Sequence, residues 1–151
     1  MNRFGTAVIL FPLLALFACG GGSSVNVIQG PWNAGLTNPD GTEAFAFTAT
    51  LTQNGKTVNV TKFTLTKPSK CFDAGVAASG SFLHPYTTHG VTSGAFEMTV
   101  RSDPANPANT LVLEGEFQRN IIWGTWTLTE GGPACNDPAN SLSGDFIMSQ
   151  M

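Results

Sequence analysis

Three cysteines, Cys19, Cys71 and Cys135, and two histidines, His84 and His89, are the side chains best suited to metal or nucleophilic chemistry. Their spacing restricts what they can do. His84 and His89 flank Pro85-Tyr86-Thr87-Thr88, a turn-like stretch, and a zinc-type site there would need a further ligand that the neighbouring sequence does not offer. The expectation is a solvent-exposed turn with no metal. Glu114 and Glu116 alternate onto one face of a strand-like segment, where they read as solvated charges, because general acid–base work calls for a cleft that perturbs a pKa. The chain contains no G-x-S-x-G, no H-E-x-x-H and no phosphate-cradling glycine loop. These residues predict a non-enzymatic protein with no cofactor.

Cys19 belongs to a different chemistry. Arg3 precedes an apolar run from Phe4 to Ala18 that is interrupted by Pro12; it is long enough for a secretory signal and short for a membrane span. At its end, Leu16-Phe17-Ala18-Cys19 resembles the bacterial lipobox, with Leu three positions before the cysteine and a small residue immediately before it. The resemblance implies that residues 1–18 are a lipoprotein signal peptide, that Cys19 is lipidated, and that the protein sits in the cell envelope. Gly20, in place of an Asp retention signal, favours the outer membrane. Lipidation of Cys19 leaves Cys71 and Cys135 as a pair in an oxidising compartment, where a disulfide is the default for a small domain. Residues 19–24 are the lipidated cysteine and a Gly/Ser tether, and residues 25–151 suffice for one domain.

The formal net charge is −3, from 7 Lys+Arg and 10 Asp+Glu. That balance argues against nucleic acid and against an anionic membrane surface as partners, since either would need clustered positive charge. The expected partners are the membrane, through the lipid on Cys19, and either an envelope protein or a small apolar ligand.

The elements that must position these residues are all strands. Thr, Val, Phe and Gly dominate runs separated by Gly, Pro, Asn and Asp clusters, with no helical periodicity. Eight strands are predicted: 26–34, 43–53, 56–66, 74–82, 91–101, 110–118, 121–129 and 144–150. Hairpin-length links give an antiparallel up-and-down meander, and closure into a barrel removes its exposed edges; an open β-sandwich is the alternative.

Two hairpins can be registered. Asn54-Gly55 predicts a type I′ turn, with Leu51 facing Val58 and Ala49 facing Val60. A bulge near Thr61 or Lys62 is then needed to keep Phe63 and Leu65 inside. The second hairpin turns at Arg119-Asn120 and pairs Leu111 with Leu128, Leu113 with Trp126, Gly115 with Gly124 and Phe117 with Ile122 on the core face. Trp123 and Glu116 then point outward. The facing glycines leave a gap beside Trp126, filled by the indole or left as a hollow. Phe45, Phe47, Phe96, Met98, Phe117 and Trp126 are the predicted interior, with Val100, Phe82 and Phe146 as companions.

Gly30-Pro31-Trp32 on the first strand resembles the G-x-W motif of lipocalin and avidin-like barrels, and Gly124-Thr125-Trp126 repeats the spacing. The resemblance implies a barrel that binds a small apolar molecule or acts as a scaffold. In composition the chain is similar to small Gly- and Thr-rich bacterial lipoproteins. The meander places four connections at one end, residues 35–42, 67–73, 102–109 and 130–143, with Cys71 and Cys135 both among them. Binding on a rigid scaffold usually resides in such loops, so Phe72, Asn106, Asn136 and Asn140 are the candidate contacts. The opposite end has the turns Asn54-Gly55 and Arg119-Asn120, a moderate loop at 83–90, and both chain termini.

Overall fold

The computed structural model describes residues 27–68, 72, 77–89, 91–103, 106–129 and 142–151, without the side chains of 77–79, 82–88 and 102–109. Eight strands run in chain order: β1 (Gly30–Thr37), β2 (Glu43–Asn54), β3 (Thr57–Lys67), β4 (Ala77–Thr88), β5 (Val91–Asp103), β6 (Asn106–Gln118), β7 (Ile121–Thr129) and β8 (Ser143–Gln150). Every neighbouring pair is antiparallel, and β1 pairs with β8, so the meander closes into a barrel. The sandwich alternative is excluded.

The boundaries that differ from expectation do so for local reasons. β1 starts later than residue 26, because the N–H groups of Val27 and Ile28 both donate to Gln53 Oε1 at 2.9 Å in place of a strand partner. β4 runs on to Thr88 instead of ending near 82. Its register against β5 slips between Leu83 and Tyr86, and this bulge accommodates Pro85, which has no N–H to give to a ladder. The loop expected at 83–90 is therefore strand for most of its length, and the backbone of His84 lies in β4. The loop expected at 102–109 shrinks likewise, since Asp103 already pairs with Asn106.

The β6–β7 hairpin has the expected register throughout, from Thr110 facing Thr129 to Gln118 facing Ile121. Arg119 takes φ 61° in its turn. The β2–β3 hairpin differs: Gln53 faces Val58 and Leu51 faces Val60, so Gly55-Lys56 are the central pair. Gly55 alone has positive φ, 60°, which is the type II′ arrangement with glycine first; type I′ would demand positive φ at both positions. The displacement preserves side-chain parity, so the same residues face inward. Beyond it, the register shifts by one residue between Leu51 and Thr50, leaving Thr61 as the extra residue, and shifts again between Phe47 and Ala46. Phe63 and Leu65 then pack against the core.

The interior is one apolar cluster drawn from all the strands whose side chains are described. Phe45, Phe47, Phe96, Met98, Phe117 and Trp126 all lie within it, as do Val100 and Phe146; Trp123 and Glu116 face solvent. Among the described residues β3 and β4 form the shortest ladder, three residue pairs from Thr57–Ser81 to Asn59–Ser79.

Candidate functional site

Rings from walls that are not adjacent meet inside the barrel. Trp32 on β1 lies edge-on to Phe117 on β6 at 6.3 Å, and Phe45 on β2 lies edge-on to Trp126 on β7 at 5.4 Å. An eight-stranded barrel is only just wide enough for its own side chains, and these contacts bridge it at two levels.

The two Gly-x-Trp tryptophans serve different ends. Trp126 reaches across its neighbour β8, and its Nε1–H donates to the carbonyl of Thr37 at 2.9 Å. The room comes from Gly144, which faces Trp126 on β8; a Cβ there would stand 2.8 Å from the indole nitrogen and 1.8 Å from Thr37 O. The expected gap at Gly115 and Gly124 does not open. There the two strands pinch together, and a Cβ on either glycine would sit 2.0 Å from a carbonyl oxygen of the facing strand. Trp32, fully buried, has no hydrogen-bond partner for its Nε1–H.

One end of the barrel, the turn end, holds the β2–β3, β4–β5 and β6–β7 turns and the start of β1 and finish of β8. It is stitched by backbone bonds from Arg119 N to Thr92 O (3.2 Å), Gln150 N to Asn120 O (3.0 Å) and Met151 N to Pro31 O (3.0 Å). Ile28 is buried beneath it. Gln53, itself buried, accepts from two N–H groups there and donates through Nε2 to Gly55 O at 2.8 Å.

The opposite, loop end is closed differently. Phe72 comes from the β3–β4 connection and is 1% exposed, with its ring stacked on Phe45 at 6.3 Å and edge-on to Phe63 at 6.2 Å. Its expected place as a surface contact is thereby corrected: an aromatic ring beside an apolar mouth gains more by burial than by exposure. Asn106 begins β6 and so belongs to a strand. Cys71, Cys135, Asn136 and Asn140 lie outside the described residues, as does Cys19. The β1–β2 turn is fastened by Asp40, whose Oδ1 accepts from the N–H and hydroxyl of Thr42 at 3.0 and 2.6 Å; these bonds hold its carboxyl below the ordinary value.

On the outside, Glu97 faces Glu114 across β5 and β6, and Glu116 stands beside Trp123 across β6 and β7. Trp123, Glu116, Gln118 and the Ser93–Ala95 segment line an open groove of about 320 Å³. His89 is exposed, at φ 51°, in the β4–β5 turn. Among the described residues no three of His, Cys, Asp and Glu converge as a metal site would require.

Ile121, paired with Gln118, lies on the outward face that the hairpin register predicts, whereas Ile147 and Met151 carry no such expectation. Ile121, Ile147 and Met151 stand exposed on or after β7 and β8. The register could also have found Ile147, since it pairs with Trp123. The basic residues Lys56 and Arg119, both exposed at hairpin turns, were equally accessible from the topology. Searches of protein-family models, curated proteins and solved structures find no match to this chain.

Proposed function

We propose that this protein is a lipid-anchored cell-envelope lipoprotein, held in the outer membrane through Cys19, whose barrel serves a structural or protein-interaction role. The observation that carries the second half of this reading is the packing of Trp32 on Phe117 and of Phe45 on Trp126, with Phe72 turned into the loop end. A carrier of small apolar ligands needs an interior pocket, typically hundreds of cubic ångströms, and these rings occupy that space. The anchor rests on the Leu16-to-Cys19 motif. No catalytic role is assigned to the barrel, and the loop end is its partner-facing surface.

The test has two parts. Fatty-acid labelling of the full chain in a bacterial host should mark the wild type and not Cys19→Ser; a labelled Cys19→Ser protein would remove the anchor. Titration with an apolar fluorescent probe should show no saturable uptake, and stoichiometric uptake would favour a carrier. One observation favours that second reading: the unpaired indole N–H of Trp32 is a buried donor that an acceptor-bearing ligand could satisfy. In that case Phe72→Ala should speed probe entry.

A further inference from the structure

The two ends of the barrel differ in their balance of exposed charge in a way that net charge conceals. At the turn end, Lys56 and Arg119 occupy two of the three hairpin turns and His89 the third, all exposed. The opposite end carries the exposed cations Lys67 and Arg101 as well, but there they stand among acids: Lys67 pairs with Glu43, Asp40 and Asp145 are exposed beside the β1–β2 and β7–β8 connections, and Asp103 ends β5. Large exposed apolar groups are segregated. Among the described residues these are Ile121, Trp123, Leu142, Ile147 and Met151; all but Leu142 lie on the part of β7 and β8 toward the turn end, or just after it. Trp123 faces Ile147 directly.

We propose that the turn end, together with the adjoining outer face of β7 and β8, docks on a bilayer containing anionic phospholipid. Lys56 and Arg119 meet the headgroup phosphates, while Ile121 and Trp123 enter the boundary between headgroups and acyl chains. Tryptophan suits that level, being apolar in body and polar at its N–H. Glu116, across from Trp123, with Glu114 and Glu97 beyond it, sets the depth, because burying carboxylates among anionic headgroups is unfavourable. The contact is therefore confined to the strand residues nearest the turn end.

Three considerations select a membrane over a second copy or a soluble partner. The cationic rim complements an anionic surface. The chain leads into β1 at this same end, and residues 1–26, which include the apolar run and Cys19, precede it. A Gly/Ser-rich chain as long as residues 20–26 has a root-mean-square reach of about 15 Å, so a lipid on Cys19 would hold the turn end against the bilayer at high effective concentration, where a weak patch suffices. This last consideration rests on the anchor proposed above.

The experiment uses the full chain reconstituted into vesicles of phosphatidylcholine with and without phosphatidylglycerol, carrying lipids brominated near the headgroup end of the acyl chains. Trp32 and Trp126 are buried, so quenching reports on Trp123. Wild-type fluorescence should be quenched in the anionic vesicles, and Trp123→Phe should leave only the unquenched background of the buried pair. Each basic residue at an anionic surface changes the docked-to-undocked ratio by about fivefold, so Lys56→Ala with Arg119→Ala should largely abolish quenching, as should high salt. Quenching indifferent to both would overturn the proposal. So would its absence from the anionic vesicles, or a cross-linked dimer through Trp123. Mass spectrometry of the peptide containing Cys19 is read separately: an unlipidated Cys19 refutes the anchor, while the charge-dependent quenching still decides the docking face.

Discussion

At the turn end, two-residue connections, backbone bonds between neighbouring hairpins and the Gln53 amide satisfy the chain's polar groups locally, and Ile28 is sealed beneath them. At the loop end, closure comes from side chains reaching across: Phe72 folds in from a connection, and Trp126 spans β8 to bind Thr37 O. The first plan is a network of hydrogen bonds among segments that are already neighbours. The second depends on a few large aromatic groups, each replacing many small contacts. The loop end should therefore be the more sensitive to single truncations, and the turn end to the loss of one amide.

The largest effect should come from Trp126→Ala. Removing a buried indole and its hydrogen bond should cost about 3–5 kcal/mol in denaturant unfolding, whereas Trp123→Ala, on the outside, should cost less than about 1 kcal/mol. Equal losses would erase the distinction between inside and outside on β7. Gln53→Ala should cost about 1–3 kcal/mol, because two buried or half-buried N–H groups lose their acceptor; amide exchange at Val27 and Ile28 should accelerate while the loop end stays protected. Exchange quickened equally at both ends would show that they are not separable.

Smaller changes sharpen the contrast between the two tryptophans. Trp126→Phe should lose about 0.5–1.5 kcal/mol for the bond to Thr37 O. Trp32→Phe should lose less, since its N–H has no partner to forfeit; a greater loss at Trp32 would mean that this N–H is satisfied in solution. Least of all, Glu114→Gln should stabilise by a few tenths of a kcal/mol, by relieving the like charge of Glu97 directly opposite. A Tm that falls would contradict the pairing.

The parts legible in the sequence were those written in strict alternation. The β6–β7 hairpin could be aligned residue by residue because one register about its two-residue turn brings Leu111, Leu113 and Phe117 opposite Leu128, Trp126 and Ile122 on a single face. In β2–β3 the parity was readable and the register was not, because Asn54-Gly55 and Gly55-Lys56 both offer a glycine for positive φ and alternation cannot choose between them. Pro85 hid a strand, since only a bulge reconciles proline with a ladder. Phe72 carries no periodic signal at all; its burial depends on Phe45 and Phe63, contributed by other strands. The difference in charge balance between the ends was concealed for a simpler reason: net charge contains no positions, and the meander must be laid out before Lys56 and Arg119 fall at one end and Asp40 and Asp145 at the other.

Closure between β1 and β8 has a consequence for the order of folding events. The contacts that complete the barrel, such as Gln150 Nε2 to Gln29 O at 2.6 Å with a sequence separation of 121, join the beginning of the domain to its last residues. No intermediate length of chain can form a smaller closed version. Until β8 arrives, the flanks of β1 and β7 are bare strand edges, able to pair with any other extended chain, and a topology so dominated by distant contacts is slow to assemble. The vulnerable species is thus the barrel that lacks only its last strand, and removal of β8 alone should yield an aggregating sheet.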